Sequence, residues 1–281
     1  MAPLLTFLYS LALPLLLPSN ATLKQNGEEF MRMHSNTIFI TGGSSGIGKG
    51  LAEAFHQLGN QVIICARRRK LLERICAANP GMRHFVLDVT DPRAIRRVAD
   101  RIVKEFPNLN CVINNAGVQM PHDFAGRKPP DEQRMLEEIS ANLLGVIRVT
   151  AAFLPCLRKQ KSATIVNVTS GIGFVPIART PIYCATKAAV HSFSLSLRHQ
   201  LKDSPVKVVE LIPPLVDTKL GGFSKRAGGG IPTPMPLDTF IAATMEGLAG
   251  NADEVAIGDA KNLTGASGLE TVKKIFARMN G

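Results

Sequence analysis

A chain of 281 residues, 45% hydrophobic and 20% charged, has the composition of a globular protein with a real core, in one large domain or two small ones. Trp is absent and aromatics make up 5%, so packing rests on Val, Ile, Leu and Ala, which suits an α/β protein. The net charge is +11, yet Lys and Arg are scattered apart from "RRRK" (67–70), with no interleaved aromatics; this excludes a nucleic-acid module and favours an anionic small molecule.

The chain opens on "LLTFLYSLALPLLL" (4–17), an apolar run short for a membrane span and interrupted by Pro14. No Lys or Arg precedes it, and only "SNA" (19–21) resembles a cleavage site. A cleaved signal, an uncleaved anchor, and an extension upstream of Met31 or Met33 are the three readings. As an anchor it would attach the protein to a membrane through residues 4–17. Lys24 and Arg32 on its C-terminal side would then hold the body in the cytosol. Residues 1–35 are therefore set apart as a leader, and 36–281 form the domain.

From residue 36 strand and helix alternate. "TIFIT" (37–41), "QVIICA" (61–66), "HFVLDV" (84–89), "NCVINNAG" (110–117), "ATIVNVTS" (163–170), "VKVVELI" (206–212) and "EVAIG" (254–258) read as strands. Helices are expected after the glycines at 42–48, after the basic run, over 92–105 from Pro92, over 131–157, and around Tyr183. Most of the strands are continuous apolar runs, as when both faces of a sheet are covered. The expected fold is a single-domain, Rossmann-type, doubly wound parallel sheet of about seven strands with helices on both faces. The five cysteines (65, 76, 111, 156, 184) are widely spaced and lack a CxxC pair. They suggest neither a disulfide framework nor a metal site, and fit a reduced compartment.

"TGGSSGIG" (41–48) lies between the first strand and first helix. Gly42 allows a sharp turn, Gly46 a close approach of backbone to ligand, and Gly48 tight helix packing. Ser44, Ser45 and Ile47 complete the loop, whose helix N-terminus offers N–H groups to a pyrophosphate. A carboxylate ending the second strand would bind ribose hydroxyls and repel a 2′-phosphate. Here Ala66 is followed by Arg67 and Arg68, whose guanidinium groups suit a phosphate, so NADP(H) is preferred over NAD(H). Asp88 and Val89 end the third strand, where Asp88 would meet the adenine.

Tyr183 and Lys187 stand at i and i+4, on one helix face. An ordinary phenol, with a pKa near 10, is a poor acid–base catalyst, and a nearby ammonium together with an oxidised nicotinamide would lower that value. Ser170 ends the fifth strand, where a hydroxyl can polarise a carbonyl.

With these residues the chain resembles the short-chain dehydrogenase/reductase family over 36–281, through "TGGSSGIG", "NNAG" (114–117), Asn142, Ser170 and "YCATK" (183–187). The resemblance implies a catalytic set of Asn142, Ser170, Tyr183 and Lys187. Tyr183 would carry the proton, Lys187 hold the nicotinamide ribose, Ser170 polarise the carbonyl, and Asn142 position a water. Asn115, Ala116 and Gly117 would pass the cofactor ribose; Pro213, Val216 and Thr218 would meet its carboxamide and phosphates. The family usually has Pro-Gly after the sixth strand, and here Pro214 replaces the glycine.

The function implied is hydride transfer between NADP(H) and a carbonyl or alcohol substrate. A catalytically silent NADP(H)-binding sensor or scaffold is the alternative from another class, and an epimerase or dehydratase a further relative. Family members commonly form homodimers or homotetramers through the 131–157 and tyrosine helices. The irregular segments 118–131 and 221–236 bring Met120, Phe124, Phe223, Ile231 and Met235 beside Arg127, Lys225 and Arg226, suggesting an apolar pocket with a basic rim. Dependence on NADPH suggests a cytoplasmic catalytic domain.

Overall fold

The computed structural model describes residues 32–220, 233–266 and 268–280. The leader at 4–17, and Phe223, Lys225, Arg226 and Ile231 of the second irregular segment, lie outside them. Seven parallel strands run in the order β3-β2-β1-β4-β5-β6-β7. They are β1 (Thr37–Thr41), β2 (Gln61–Ala66), β3 (Arg83–Val86), β4 (Cys111–Asn114), β5 (Ala163–Val168), β6 (Val206–Ile212) and β7 (Glu254–Ala256). Helices connect them: α1 (Gly46–Gln57), α2 (Arg69–Ala78), α3 (Pro92–Glu105), α4 (Glu132–Ile139), α5 (Gly145–Leu157), α6 (Pro181–Leu201) and α7 (Leu237–Ala249). Two more, α8 (Ala260–Thr264) and α9 (Leu269–Asn280), follow β7.

Side chains alternate across the sheet with period 2, so each strand feeds two cores. Ile38, Ile40, Val62 and Ile64 face Leu51 and Phe55 of α1 and Phe240 of α7. Phe39, Ile63 and Val112 face the other way, onto Ile95 and Ile102 of α3, Phe153 of α5 and Leu197 of α6. Phe39 and Phe153 pack with ring centroids 4.8 Å apart. Each such fully buried side chain contributes about 1.5–3 kcal/mol relative to exposure, which explains why the strands read as unbroken apolar runs.

The strands expected at 110–117, 163–170 and 254–258 end early, at Asn114, Val168 and Ala256, and two further elements differ from expectation. β3 stops at Val86 because Asp88 turns the chain: one carboxylate oxygen accepts from Thr90 N at 2.9 Å and Thr90 Oγ1 at 2.8 Å. The 131–157 helix is continuous from Glu132 to Leu157 but contains a π turn at Ser140–Leu144, where the Gly145 N–H reaches back to the Ser140 carbonyl. Asp131 caps its start through Arg134 N. This helix is long and apolar enough to span a bilayer, yet Val149, Phe153 and Leu157 pack into the core, so its apolar character serves packing.

The strand order reverses between β1 and β4. Their carboxyl ends leave a crevice there, the usual ligand position in open α/β sheets. The loop 42–45, the segment 115–117, Ser170 and the 213–218 segment all follow strands at that edge.

Candidate active site

The glycine loop is built around Thr41 and Asn115. Thr41 Oγ1 accepts from Asn115 N and Ala116 N, both at 3.0 Å, and donates to Ile113 O at 3.4 Å. Asn115 Nδ2 donates to Thr41 O at 2.9 Å. The Asn115 side-chain amide and backbone N–H therefore both tie the end of β4 to the end of β1. The glycines follow from that tie. A Cβ at Gly48 would lie 2.3 Å from Asn115 Nδ2 and 2.6 Å from Gly42 O, and one at Gly42 would lie 2.8 Å from Asn115 Nδ2. Gly42 (φ 71°) and Gly46 (φ 54°) also occupy the left-handed region. Because the Gly48 neighbours include backbone, Gly48→Ala should push the loop apart. We expect it to lower stability by about 1–3 kcal/mol in urea unfolding and to weaken nucleotide binding.

At the loop's outer end Ser45 stands before α1 with no side-chain cap. Its hydroxyl and that of Ser44 accept from Arg68 Nη2 at 3.0 and 3.3 Å. Arg67 approaches the second carboxylate oxygen of Asp88 at 4.0 Å and is largely exposed. Both guanidinium groups thus converge at the end of β2, with Arg68 reaching the loop itself. Asp88 is partly committed to its own turn, and Val89 packs against Gly145 beyond it.

Across the crevice, the four residues expected to form the catalytic set are all buried: Asn142, Ser170, Tyr183 and Lys187. Tyr183 and Lys187 share the inner face of α6, with the ammonium 5.6 Å from the ring centroid. Burial pushes the phenol well above its ordinary value, and a hydrogen bond with Ser170 only partly opposes this. Lys187 Nζ donates to Val168 O at 2.7 Å. Burial pulls its pKa from 10.5 down to about 8, while the Glu210 carboxylate acts in the opposite direction. The expected lowering of the phenol by the ammonium is therefore not what dominates: desolvation does, and it leaves a protonated phenol at neutral pH.

Asn142 sits in the π turn, where its side chain pairs with one backbone unit. Oδ1 accepts from Val118 N and Nδ2 donates to Val118 O, each at 2.8 Å. One turn earlier, Glu138 accepts from Met120 N at 3.1 Å and bonds His122 Nε2 at 2.9 Å, both side chains buried. Asn142 and Glu138 together pin the start of the 118–131 segment to the helix. A Cβ on Gly117 would lie 3.1 Å from Asn142 Oδ1 and 3.8 Å from Lys187 Nζ, so this segment passes directly over both. Beyond it, a cavity of about 500 Å³ is lined by His122, Asp123, Arg127, Lys128 and Arg134. Met120 is half-buried and Phe124 exposed nearby in sequence.

The segment after β6 closes the opposite side. Pro213 O accepts from Gly171 N at 3.0 Å, joining it to the residue after Ser170. Val216 is buried and pairs with Met235 in a short parallel bridge. Thr218 stands across from Gly46, whose missing Cβ would lie 3.4 Å from its methyl group. Pro214 is accommodated: its ring faces Gly258, and the bridge runs through donors at Met235 and Asp217 instead.

Sequence reasoning missed Thr41, Glu138, His122 and Glu210. Glu138 and Glu210 carried a signal, since each is a carboxylate at a position that packing would otherwise fill with apolar residues. His191, Glu210 and Glu254 form, among the described residues, a group whose donor atoms lie within 4.8 Å of one another. Thr169 and His191 already occupy the Glu210 oxygens and Arg198 lies 3.6 Å from Glu254, so hydrogen bonding accounts for the group.

The chain is 39% identical over 252 residues to an uncharacterized oxidoreductase, DltE, of Bacillus subtilis, covering 89% of this chain and 98% of that one. Its fold resembles a short chain dehydrogenase from Burkholderia cenocepacia solved in complex with NADP (TM-score 0.75, 25% identity, 89% of this chain and 99% of that one). It also resembles one from Burkholderia phymatum solved with NAD (TM-score 0.72, 22% identity, 83% and 92%). The same fold thus accompanies either nucleotide. Residues 36–227 match the short chain dehydrogenase family model, and with the crevice and its relatives this makes the chain a member of the short-chain dehydrogenase/reductase family of oxidoreductases.

Proposed function

We propose that the protein is an NADP(H)-dependent carbonyl reductase or alcohol dehydrogenase. The observation that carries this reading is the convergence of Ser170, Tyr183 and Lys187 on the crevice whose other wall is the glycine loop. The chain fits the cofactor: Gly46 presents no side chain at the N-terminus of α1, Gly42 and Gly48 let the loop close on the Asn115 amide, and Arg67 and Arg68 supply positive charge beside Ser44 and Ser45. Bound there, the nicotinamide supplies a hydride or accepts one.

The residues of the chain do the rest. Ser170 donates a hydrogen bond to the substrate oxygen, and Tyr183, a phenol protonated at neutral pH, gives that oxygen its proton during reduction. Lys187, with a pKa of about 8, is suited to return a proton to the phenolate and to hold the cofactor ribose. Asn142 fixes the 118–131 segment over Lys187 and so shapes the substrate entrance. Asp88 and Val89 flank the adenine side, Ile47 and Asn115–Gly117 line the middle of the cofactor groove, and Pro213, Val216 and Thr218 close it. On the 118–131 wall Met120 suits an apolar part of a carbonyl or alcohol substrate, while Arg127, Lys128 and Arg134 around the cavity suit an anionic part. The exposed side of α4–α5 and α6 is our choice for self-association as a dimer or tetramer, and the cytosol, where NADPH is plentiful, our choice of compartment.

Nucleotide choice is tested by titrating NADPH and NADH, following the cofactor's own emission, which no tryptophan obscures. Arg68→Ala and Arg67→Ala should each weaken NADPH about 10- to 100-fold, the scale of losing a charge-assisted hydrogen bond, and leave NADH unchanged. Equal affinity for both nucleotides in the wild type would refute the NADP(H) assignment.

A further inference from the structure

A line of polar residues crosses the sheet beneath α6. Asn114 on β4, Asn167 on β5, Glu210 on β6 and Glu254 on β7 are register partners, one to the next. Asn114 Nδ2 donates to Asn167 Oδ1 at 2.9 Å and to Thr150 Oγ1 at 3.0 Å, and Asn167 Nδ2 donates to Ser194 Oγ at 2.9 Å. The first three members of the row are buried where a sheet would otherwise hold apolar side chains, and burying a carboxylate there is costly unless the charge serves a partner.

Of the row's two carboxylates, Glu254 is exposed at the sheet edge and Glu210 is fully buried. Thr169 Oγ1 donates to its Oε1 at 2.6 Å, and His191 Nδ1 lies 2.8 Å from its Oε2. Thr169 falls between Val168, whose carbonyl receives the Lys187 ammonium, and Ser170. A hydroxyl tied to Glu210 therefore fixes the short segment that presents both the lysine's acceptor and the serine. His191 follows Lys187 by one turn of α6, is a quarter exposed, and stacks near Phe174 with centroids 4.4 Å apart. It links the buried carboxylate to solvent.

We propose that Glu210 is a positioning residue for this active site, holding the 168–170 segment through Thr169 and serving as the buried counter-charge of Lys187, with His191 as its solvent-side partner. This extends the reading of Lys187 as a catalytic residue and rests on it. The counter-charge role agrees with the direction in which Glu210 acts on the lysine. The other charged groups around Glu210 come from α6 and β7. Arg198 on α6 reaches Glu254 and Asp253 at 3.6 Å each, so the β7 charges are largely answered by Arg198 and by Lys207, 4.0 Å from Asp253. On the far side, Glu138 from α4 faces Tyr183 and Cys184 and is itself paired with His122.

The test reads the lysine directly and needs no substrate. Lysine labelled with ¹³C at Cε is titrated by NMR in the full chain, with the Lys187 signal identified by its loss in Lys187→Met. The midpoint of Lys187 should move to lower pH in Glu210→Gln, which preserves shape and removes charge, and should not fall in His191→Gln. In the wild type, the signal of the Glu210 carboxyl carbon should show an inflection at the lysine's midpoint, a coupling that survives as a test if Glu210→Gln does not fold. An unmoved midpoint in folded Glu210→Gln, or no inflection at Glu210, overturns the proposal. Either result leaves the enzyme reading intact, since that reading falls on separate measurements: no nucleotide binding, or no hydride delivered from bound NADPH to any carbonyl.

Discussion

Tyr183→Phe is expected to lower the rate of carbonyl reduction by about 10²- to 10⁴-fold, the range for a positioned acid, while NADPH affinity stays at the wild-type level. The substitution removes one oxygen and nothing else. Tyr183 is buried, packed on the inner face of α6, and its ring keeps the same neighbours as phenylalanine. What disappears is the proton donor and its hydrogen bond with Ser170. Steady-state kinetics separates this from a packing defect, because the loss should fall on kcat, with unfolding midpoints close to wild type. Activity retained in the phenylalanine variant would mean that another group moves the proton.

The second large effect concerns stability and opposes function. Lys187 is buried and its pKa falls from 10.5 to about 8. Below about pH 8 the lysine is charged in both folded and unfolded chains, and the folded protein bears the full cost of desolvating it. Between about 8 and 10.5 the folded protein releases its proton while the unfolded chain keeps one, so the unfolded state binds more protons and stability rises with pH. Lys187→Met removes this term. Relative to that variant, the wild type should gain about 2–3 kcal/mol of unfolding free energy between pH 7 and pH 10. Near pH 7 the relieved charge burial is offset in part by the orphaned Val168 carbonyl, about 1–3 kcal/mol. Urea unfolding of both proteins at pH 7, 8.5 and 10 measures the slope. A difference that stays flat would show that the lysine titrates in the folded protein as it does in water. Loss of turnover alongside the changed slope would identify the buried charge as a cost maintained for catalysis.

Much of this architecture was legible because the sheet is buried on both faces. Strands β2 and β6 appear in sequence as apolar runs with the same ends as in the structure, and α3 begins at its Pro92. The Tyr183–Lys187 pair was legible because helical spacing alone puts i and i+4 on one face. Features that depend on side chains turning sideways were not. The Thr41–Asn115 tie is an interaction between residues far apart in sequence, and nothing local distinguishes it from two ordinary strand-end polar residues. The end of β3 was missed because Asp88 bonds its own neighbour Thr90 in preference to continuing the ladder, a turn that competes with strand at any aspartate. The π turn around Asn142 has no sequence periodicity of its own, since the one-residue shift is absorbed within an otherwise regular helix. The basic pair after β2 was visible, but only the folded chain distinguishes Arg68, which reaches the serines of the loop, from Arg67, which reaches Asp88.

Hydride transfer is what would distinguish this crevice from a site that only binds nucleotide. The most direct measurement is a transfer experiment with NADPH carrying deuterium at nicotinamide C4, mixed with the protein and a panel of aldehydes and ketones bearing apolar substituents, the products being analysed by mass spectrometry. The account predicts deuterium bonded to the carbinol carbon of at least one product, with the amount falling in parallel with turnover in Tyr183→Phe. NADPH bound at the site with no deuterium delivered to any carbonyl, in wild type and variant alike, would contradict it and leave a silent nucleotide-binding protein.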